Sequence, residues 1–138
     1  MKSIQGECLC GAVQYEILND VLYAGFCHCS ECRRFSGSAF SAFAGVTSES
    51  LHITNGLAQI KYYKKSEDSQ LAFCSECGSS LFSFKPKTGM YHIRMGTLND
   101  APSLYPQAHV YVGSKAKWDS MNDDLPKFDQ GPPQMTKG

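Results

Sequence analysis

The sequence predicts an all-β domain of short strands, with zinc stapling a modest core. Three observations carry that prediction. Apolar and polar residues alternate in short runs, the period of a half-buried strand. No stretch sustains a helical period, and Gly, Asn, Asp and Pro interrupt the chain at close intervals. The seven cysteines, an odd number that suits disulfide pairing poorly, cluster as Cys-x-Cys, Cys-x-Cys-x-x-Cys and Cys-x-x-Cys.

From the N-terminus, Gly6-Glu7-Cys8-Leu9-Cys10-Gly11 opens with a cysteine pair that carries little weight alone. Residues 12–17 follow as a strand, with Val13, Tyr15 and Ile17 on one face and Gln14 and Glu16 on the other. Asn19-Asp20 marks a turn, and residues 21–26 form a second strand that delivers the chain into Cys27-His28-Cys29-Ser30-Glu31-Cys32-Arg33-Arg34. Residues 30–35 read as a short helical turn and Ser36-Gly37-Ser38 as a break. Residues 39–46 are a strand with Phe40, Ala42, Ala44 and Val46 on one side and Phe43 on the other. Residues 51–54 and 57–63 read as a β-hairpin about Asn55-Gly56, because both turn positions tolerate positive φ.

Residues 64–69 are a polar loop, and residues 71–73 lead into Cys74-Ser75-Glu76-Cys77-Gly78, a zinc knuckle whose glycine lets backbone amides turn back toward sulfur. Strands follow at 81–84, 91–95 and 108–112, separated by a turn at 86–89 and a loop over 96–106. The tail from Gly113 is irregular, with Trp118, Leu125 and Phe128 as packing anchors, and it frays from Gly131-Pro132-Pro133 onward. Residues 1–138 are read as one domain with its core at about residues 4–130.

Three cysteines within six residues would strain a disulfide, so a metal explains Cys27, Cys29 and Cys32 better. They fill three of zinc's four tetrahedral positions, and a fourth left to substrate is the mark of a catalytic zinc. Cys8 and Cys10 with Cys74 and Cys77 make a closed four-thiolate set, split along the chain as structural zincs are. Free structural thiols, disulfides and a thioredoxin-like pair at Cys74 and Cys77 are the rival readings, and the last lacks its βαβ context. The three-thiolate site should lose its metal more readily than the closed one.

Thirteen basic and thirteen acidic residues give a formal charge of zero, which argues against nucleic acid or an anionic membrane as partner. No apolar leader and no run of membrane-spanning length is present, so the expectation is a cytoplasmic protein with reduced thiols. Seven thiolates on two zinc ions leave a surplus of three negative charges. Arg33 and Arg34 either offset that charge locally or are solvated surface residues. His28, between two ligand cysteines, is read as a packing residue with proton transfer as the lesser role. His92 and His109 are read as structural and His52 as exposed.

The runs Gly6-x-Cys8-x-Cys10-Gly11-x-Val13-x-Tyr15, Cys27-His28-Cys29-x-x-Cys32 and Phe73-Cys74-x-x-Cys77-Gly78 resemble the glutathione-dependent formaldehyde-activating enzyme family, which also holds centromere-protein-V-like proteins. Gly96-Thr97-Leu98-Asn99-Asp100, His109-Val110-Tyr111-Val112, Ser114-Lys115-Ala116-Lys117-Trp118 and Asp124-Leu125-Pro126-Lys127-Phe128 extend the likeness. It implies small coiled sheets of the Mss4-like type. It implies a structural zinc on Cys8, Cys10, Cys74 and Cys77 and a second zinc on Cys27, Cys29 and Cys32. The activity it implies is carbon–sulfur lyase or synthase chemistry on a glutathione-type thiol and a small aldehyde, giving an S-hydroxymethylglutathione-like adduct. Glutathione's carboxylates call for cations near the metal: Arg33 and Arg34 first, then Arg94 and Lys115. No general base stands out. The alternative is a non-catalytic, zinc-stabilised binding module, with Tyr62, Tyr63, Tyr91, Tyr105 and Tyr111 as candidate surface residues.

Overall fold

Alternation along residues 13–17 fixes the first core contact: Val13, Tyr15 and Ile17 are all buried, whereas Gln14 is exposed and Glu16 only half-buried. In the computed structural model, which describes residues 3–131, this run becomes β2 (Gln14–Ile17). It lies between β1 (Ile4–Glu7) and β5 (Leu51–Asn55) in a three-stranded antiparallel sheet.

The second sheet has seven strands. In spatial order they are β10 (His109–Val110), β3 (Tyr23–Cys27), β4 (Ser41–Thr47), β9 (Met90–Arg94), β8 (Ser80–Lys85), β7 (Ser69–Cys74) and β6 (Ile60–Ser66). All neighbours run antiparallel except β10 and β3. The all-β class holds, with the strands gathered into these two sheets. Among the described residues one α-helix, α1 (Ser30–Ser36), follows β3 and ends on Gly37 at φ 67°. Among the described residues no helix is long and apolar enough to cross a membrane.

The two faces of the larger sheet differ in chemistry. Ala24, Ala44, Val46, Ile93, Phe82 and Ala72 pack with Val13, Tyr15 and Ile17 into the main core. On the other face the register sets Tyr23, Gly45, His92 and Ser83 in one row, and Phe43 opposite Arg94 in the next. A polar row on a central sheet face has no place in a core, and this face carries the cavity described below.

Four expectations are corrected. Asn55-Gly56 does not turn a hairpin: β5 pairs with β2 and β6 pairs with β7, so the chain passes here from one sheet to the other. Gly56 does use positive φ (81°), but for close approach, since a Cβ there would lie 2.0 Å from the Ala12 carbonyl oxygen. Residues 64–69 are the end of β6, a tight turn and the start of β7; they are polar because β6 is an exposed edge strand, where charged side chains guard against pairing with another chain. The last strand is only His109–Val110, and β1 forms where the cysteine spacing alone drew notice. Trp118 is 73% exposed and Phe128 is exposed, so neither anchors the tail; Leu125 is half-buried. The frayed end expected from Gly131 falls, beyond that residue, outside the described residues.

Candidate functional site

Two tight turns of similar build bring four sulfurs together. Gly11 and Gly78 both sit at φ 81°, and their amides donate to the Cys8 and Cys74 carbonyls at 3.1 and 2.8 Å. The backbone so folded lets Val13 N–H donate to Cys8 Sγ (3.3 Å) and Glu76 N–H to Cys74 Sγ (3.4 Å). The sulfurs of Cys8, Cys10, Cys74 and Cys77 all lie within 4.8 Å of one another, with Cys8–Cys10 at 3.6 Å and Cys10–Cys74 at 3.9 Å. Four sulfurs bound tetrahedrally to one zinc would stand about 3.8 Å apart, so this set fits the ion. The Ser79 hydroxyl and amide bring Cys77 down to about 5. At Cys10 the Ala12 amide pulls the same way, but burial and the three neighbouring sulfurs outweigh it and push the thiol up to about 12, a conflict that a cation would relieve.

The sulfurs of Cys27, Cys29 and Cys32 also lie within 4.8 Å of one another. Cys27 closes β3, Cys29 caps the N-terminus of α1 with its sulfur accepting the Cys32 amide at 3.2 Å, and Cys32 lies in the first helical turn. Without a cation the three cannot ionise together. Hydrogen bonds from Cys27 and Cys32 pull Cys29 down to about 2, while the Cys29 and Cys32 sulfurs and burial push Cys27 far up. Cys32 is pulled down by Cys27, but Cys29 and burial outweigh that and leave it raised. A dication would relieve this conflict, so the donor set fits zinc with one position to spare.

This cluster opens on a cavity of about 630 Å³ lined also by Tyr23, Phe43, Lys65, Lys85, His92 and Arg94. Glu31 and Asp68 line it too, but Lys65 pairs with Glu31 at 2.8 Å and Lys87 with Asp68 at 3.0 Å. Lys85 and Arg94 have no carboxylate partner among the described residues. Lys85 Nζ donates to Ser69 Oγ (3.1 Å), and burial, with Lys65 and Arg94 nearby, pulls its amine below the usual range. Arg94 is 8% exposed, lies over the Phe35 ring at 5.1 Å, and donates from Nη1 to the His92 carbonyl at 2.9 Å. Its Nε has no hydrogen-bond partner; burial lowers its pKa while the three cysteines act to hold it charged.

Tyr23 Oη and His92 Nε2 meet at 2.8 Å on the cavity wall, and the His92 ring stacks on Phe43 at 5.1 Å. Burial, with Lys85 and Arg94 adding to it, brings His92 down to about 3, so its ring is neutral at pH 7. Burial raises Tyr23, so its hydroxyl stays protonated.

The remaining residues singled out from sequence lie elsewhere. Arg33 and Arg34 are in the last turn of α1 and do not line the cavity; Arg34 borders a second groove with Gly78, Gly96 and Thr97. Lys115 Nζ is held by the Ala116 and Asp119 carbonyls. His28 is fully buried and faces away from the cavity, its Nε2 2.8 Å from His109 Nδ1, whose Nε2 donates to Asp123 (2.8 Å). His52 is exposed. Sequence reasoning missed Tyr23, Lys85 and the location of His92. Tyr23 and His92 are 69 residues apart and meet only across the register of three strands, which leaves no local spacing to read.

Comparison with known proteins adds an independent finding. Residues 3–114 match the family model described as "Glutathione-dependent formaldehyde-activating enzyme". An uncharacterized lyase of Schizosaccharomyces pombe is 28% identical over 116 residues, covering 83% of this chain and 82% of that protein. A Halomonas elongata protein that bears the name of a glutathione-dependent formaldehyde-activating enzyme, provisionally given, is 25% identical over 123 residues, 83% of this chain and 78% of its own. The crystal structure of a Rhodobacter sphaeroides protein superposes with a TM-score of 0.59 at 25% identity, covering 72% of this chain and 91% of that one.

Proposed function

The chain belongs to the glutathione-dependent formaldehyde-activating enzyme family, and we propose that it is a zinc-dependent carbon–sulfur lyase or synthase that interconverts a glutathione-type thiol and a small aldehyde with their S-hydroxymethyl adduct. The observation that carries this reading is the three-cysteine cluster opening on a cavity with two cations that no carboxylate neutralises. Cys27, Cys29 and Cys32 would hold one zinc, and Cys8, Cys10, Cys74 and Cys77 a second, structural one. At the first site the ion would lower the pKa of a thiol in its open position, making a nucleophile near neutral pH.

The chain's own groups do the rest. Arg94 offsets the surplus negative charge of three thiolates and a substrate sulfur. Lys85, with Ser69 beside it, offers a charge-assisted bond to a substrate carboxylate, a role first sought in Arg33 and Arg34. Phe35, Phe43 and Val110 give the cavity apolar wall, which keeps water from competing for the aldehyde. Seven unpaired thiols suit a reducing, cytoplasmic setting, and we read the whole chain as one domain there.

Calorimetric titration of glutathione into the zinc-loaded protein, with S-methylglutathione alongside, tests the reading. The expected result is binding of glutathione with proton release and much weaker binding of the S-methyl compound. Equal binding of both would mean a peptide pocket without sulfur chemistry. Binding of neither, with two zincs per chain, would favour an interaction module.

A further inference from the structure

The reaction proposed above, on which this inference rests, leaves one proton without an assigned carrier: the one that the aldehyde oxygen must gain as sulfur adds to carbon. Two groups on the cavity wall are arranged to handle it. On the central strand β4, Gly45 is registered with Tyr23 on one side and with His92 on the other. With no side chain between them, the Tyr23 ring lies across Gly45 and its oxygen reaches His92 Nε2 at 2.8 Å. The space is used fully, since a Cβ on Gly45 would come within 2.3 Å of the Tyr23 ring. Phe43 braces both rings, edge-on to Tyr23 and stacked on His92. Both line the same cavity as Cys27, Cys29 and Cys32.

We propose that Tyr23 is the proton donor to the aldehyde oxygen, and that His92 is the positioning residue that holds its hydroxyl. The Tyr23 contact is the hydrogen bond the His92 ring makes among the described residues, which leaves both neutral tautomers open to it, and the proposal uses the one protonated on Nε2. A neutral ring protonated on Nε2 donates to Tyr23 Oη and leaves the phenol O–H free to point into the cavity. In the forward step the substrate sulfur's electron pair forms the S–C bond and the carbonyl π pair moves to oxygen. That oxygen takes the Tyr23 proton, and the phenolate left behind accepts the His92 N–H and feels the charges of Lys85 and Arg94. The thiol's own proton leaves to solvent on binding, and solvent returns one to Tyr23, so the cycle closes without oxidant, reductant or net proton. In cleavage the same atoms run backward: tyrosinate takes the hydroxyl proton, C=O re-forms, and the S–C pair departs with sulfur.

The test is magnetisation-exchange NMR of glutathione, formaldehyde and their adduct over the zinc-loaded enzyme, with glutathione affinity measured on the same samples. Tyr23→Phe should keep both zincs and its affinity for glutathione, and lose roughly 100-fold or more of the enzymatic exchange rate. His92→Gln keeps an N–H donor and should retain more of the rate than His92→Leu. Incorporation of 3-fluorotyrosine at position 23, which changes phenol acidity and hardly changes shape, should alter the rate of a fully folded enzyme. Tyr23→Phe exchanging at the wild-type rate, or an unaltered rate in the fluorinated enzyme, overturns the assignment while leaving the thiol–aldehyde reaction standing. A wild-type enzyme that binds glutathione and accelerates no exchange overturns the reaction itself and the donor with it.

Discussion

At Arg94 a full charge is buried with no carboxylate beside it among the described residues. An isolated buried charge is strongly unfavourable, so its partner must be the thiolate cluster it faces. Arg94→Met should therefore weaken metal retention at the three-cysteine site by about 10- to 100-fold, the usual effect of losing a group that supports metal ligands. Competition with a chromophoric chelator, counting fast and slow zinc separately, measures this, and equal retention in both proteins would remove Arg94 from the site. His92 makes a second prediction at this scale. Its folded pKa, about 3, lies below the unfolded value of about 6.5. The unfolded chain thus binds the extra proton between those values, and stability falls as pH drops through that window. From pH 7 to about 5 the linkage amounts to about 2 kcal/mol. His92→Gln should flatten that part of the stability curve in urea titrations, whereas an unchanged slope would mean that His92 is solvated.

At the scale of elements, β4 governs the site. It pairs β3 with β9, so it decides whether Cys27, Tyr23, His92 and Arg94 share one wall. Gly45→Ala leaves φ and ψ acceptable for a strand but drives a methyl into the Tyr23 ring. The expected outcome is a displaced Tyr23, visible as a changed ring environment by NMR, and a lower exchange rate with both zincs retained. A variant indistinguishable from wild type would show the wall to be more pliant than the register suggests. The same strand shows what could be read from the sequence. Both cysteine clusters were legible because each turn sets its ligands two or three residues apart, and a turn is a local object. The alternation in residues 13–17 was legible because one face of β2 is buried and the other is not. The cavity was not legible, because its polar residues come from separate strands and only the register brings them together. Asn55-Gly56 misled for a related reason: the dipeptide encodes a permissive backbone, and what approaches Gly56 is distant in the chain, the Ala12 carbonyl just before β2, which also accepts from the Asn55 side-chain amide at 3.1 Å.

For the whole molecule, the two cysteine clusters are placed for different work. The four-cysteine cluster joins the turn between β1 and β2 of the small sheet to the turn between β7 and β8 of the large one. A metal there closes loops of more than 60 residues and ties the two layers of the core together. The three-cysteine cluster spans only six residues of chain and staples nothing distant. Cys77→Ser should then cost more than about 4 kcal/mol, or prevent folding outright, the scale of a lost structural metal. Cys32→Ser should keep the unfolding transition close to that of wild type and bind one zinc in place of two. Thermal unfolding with zinc counted on the purified proteins separates these outcomes. Equal destabilisation by both substitutions would mean that the second cluster also holds the sheets together, and the cavity at its mouth would then be a by-product of structure, with no substrate to explain.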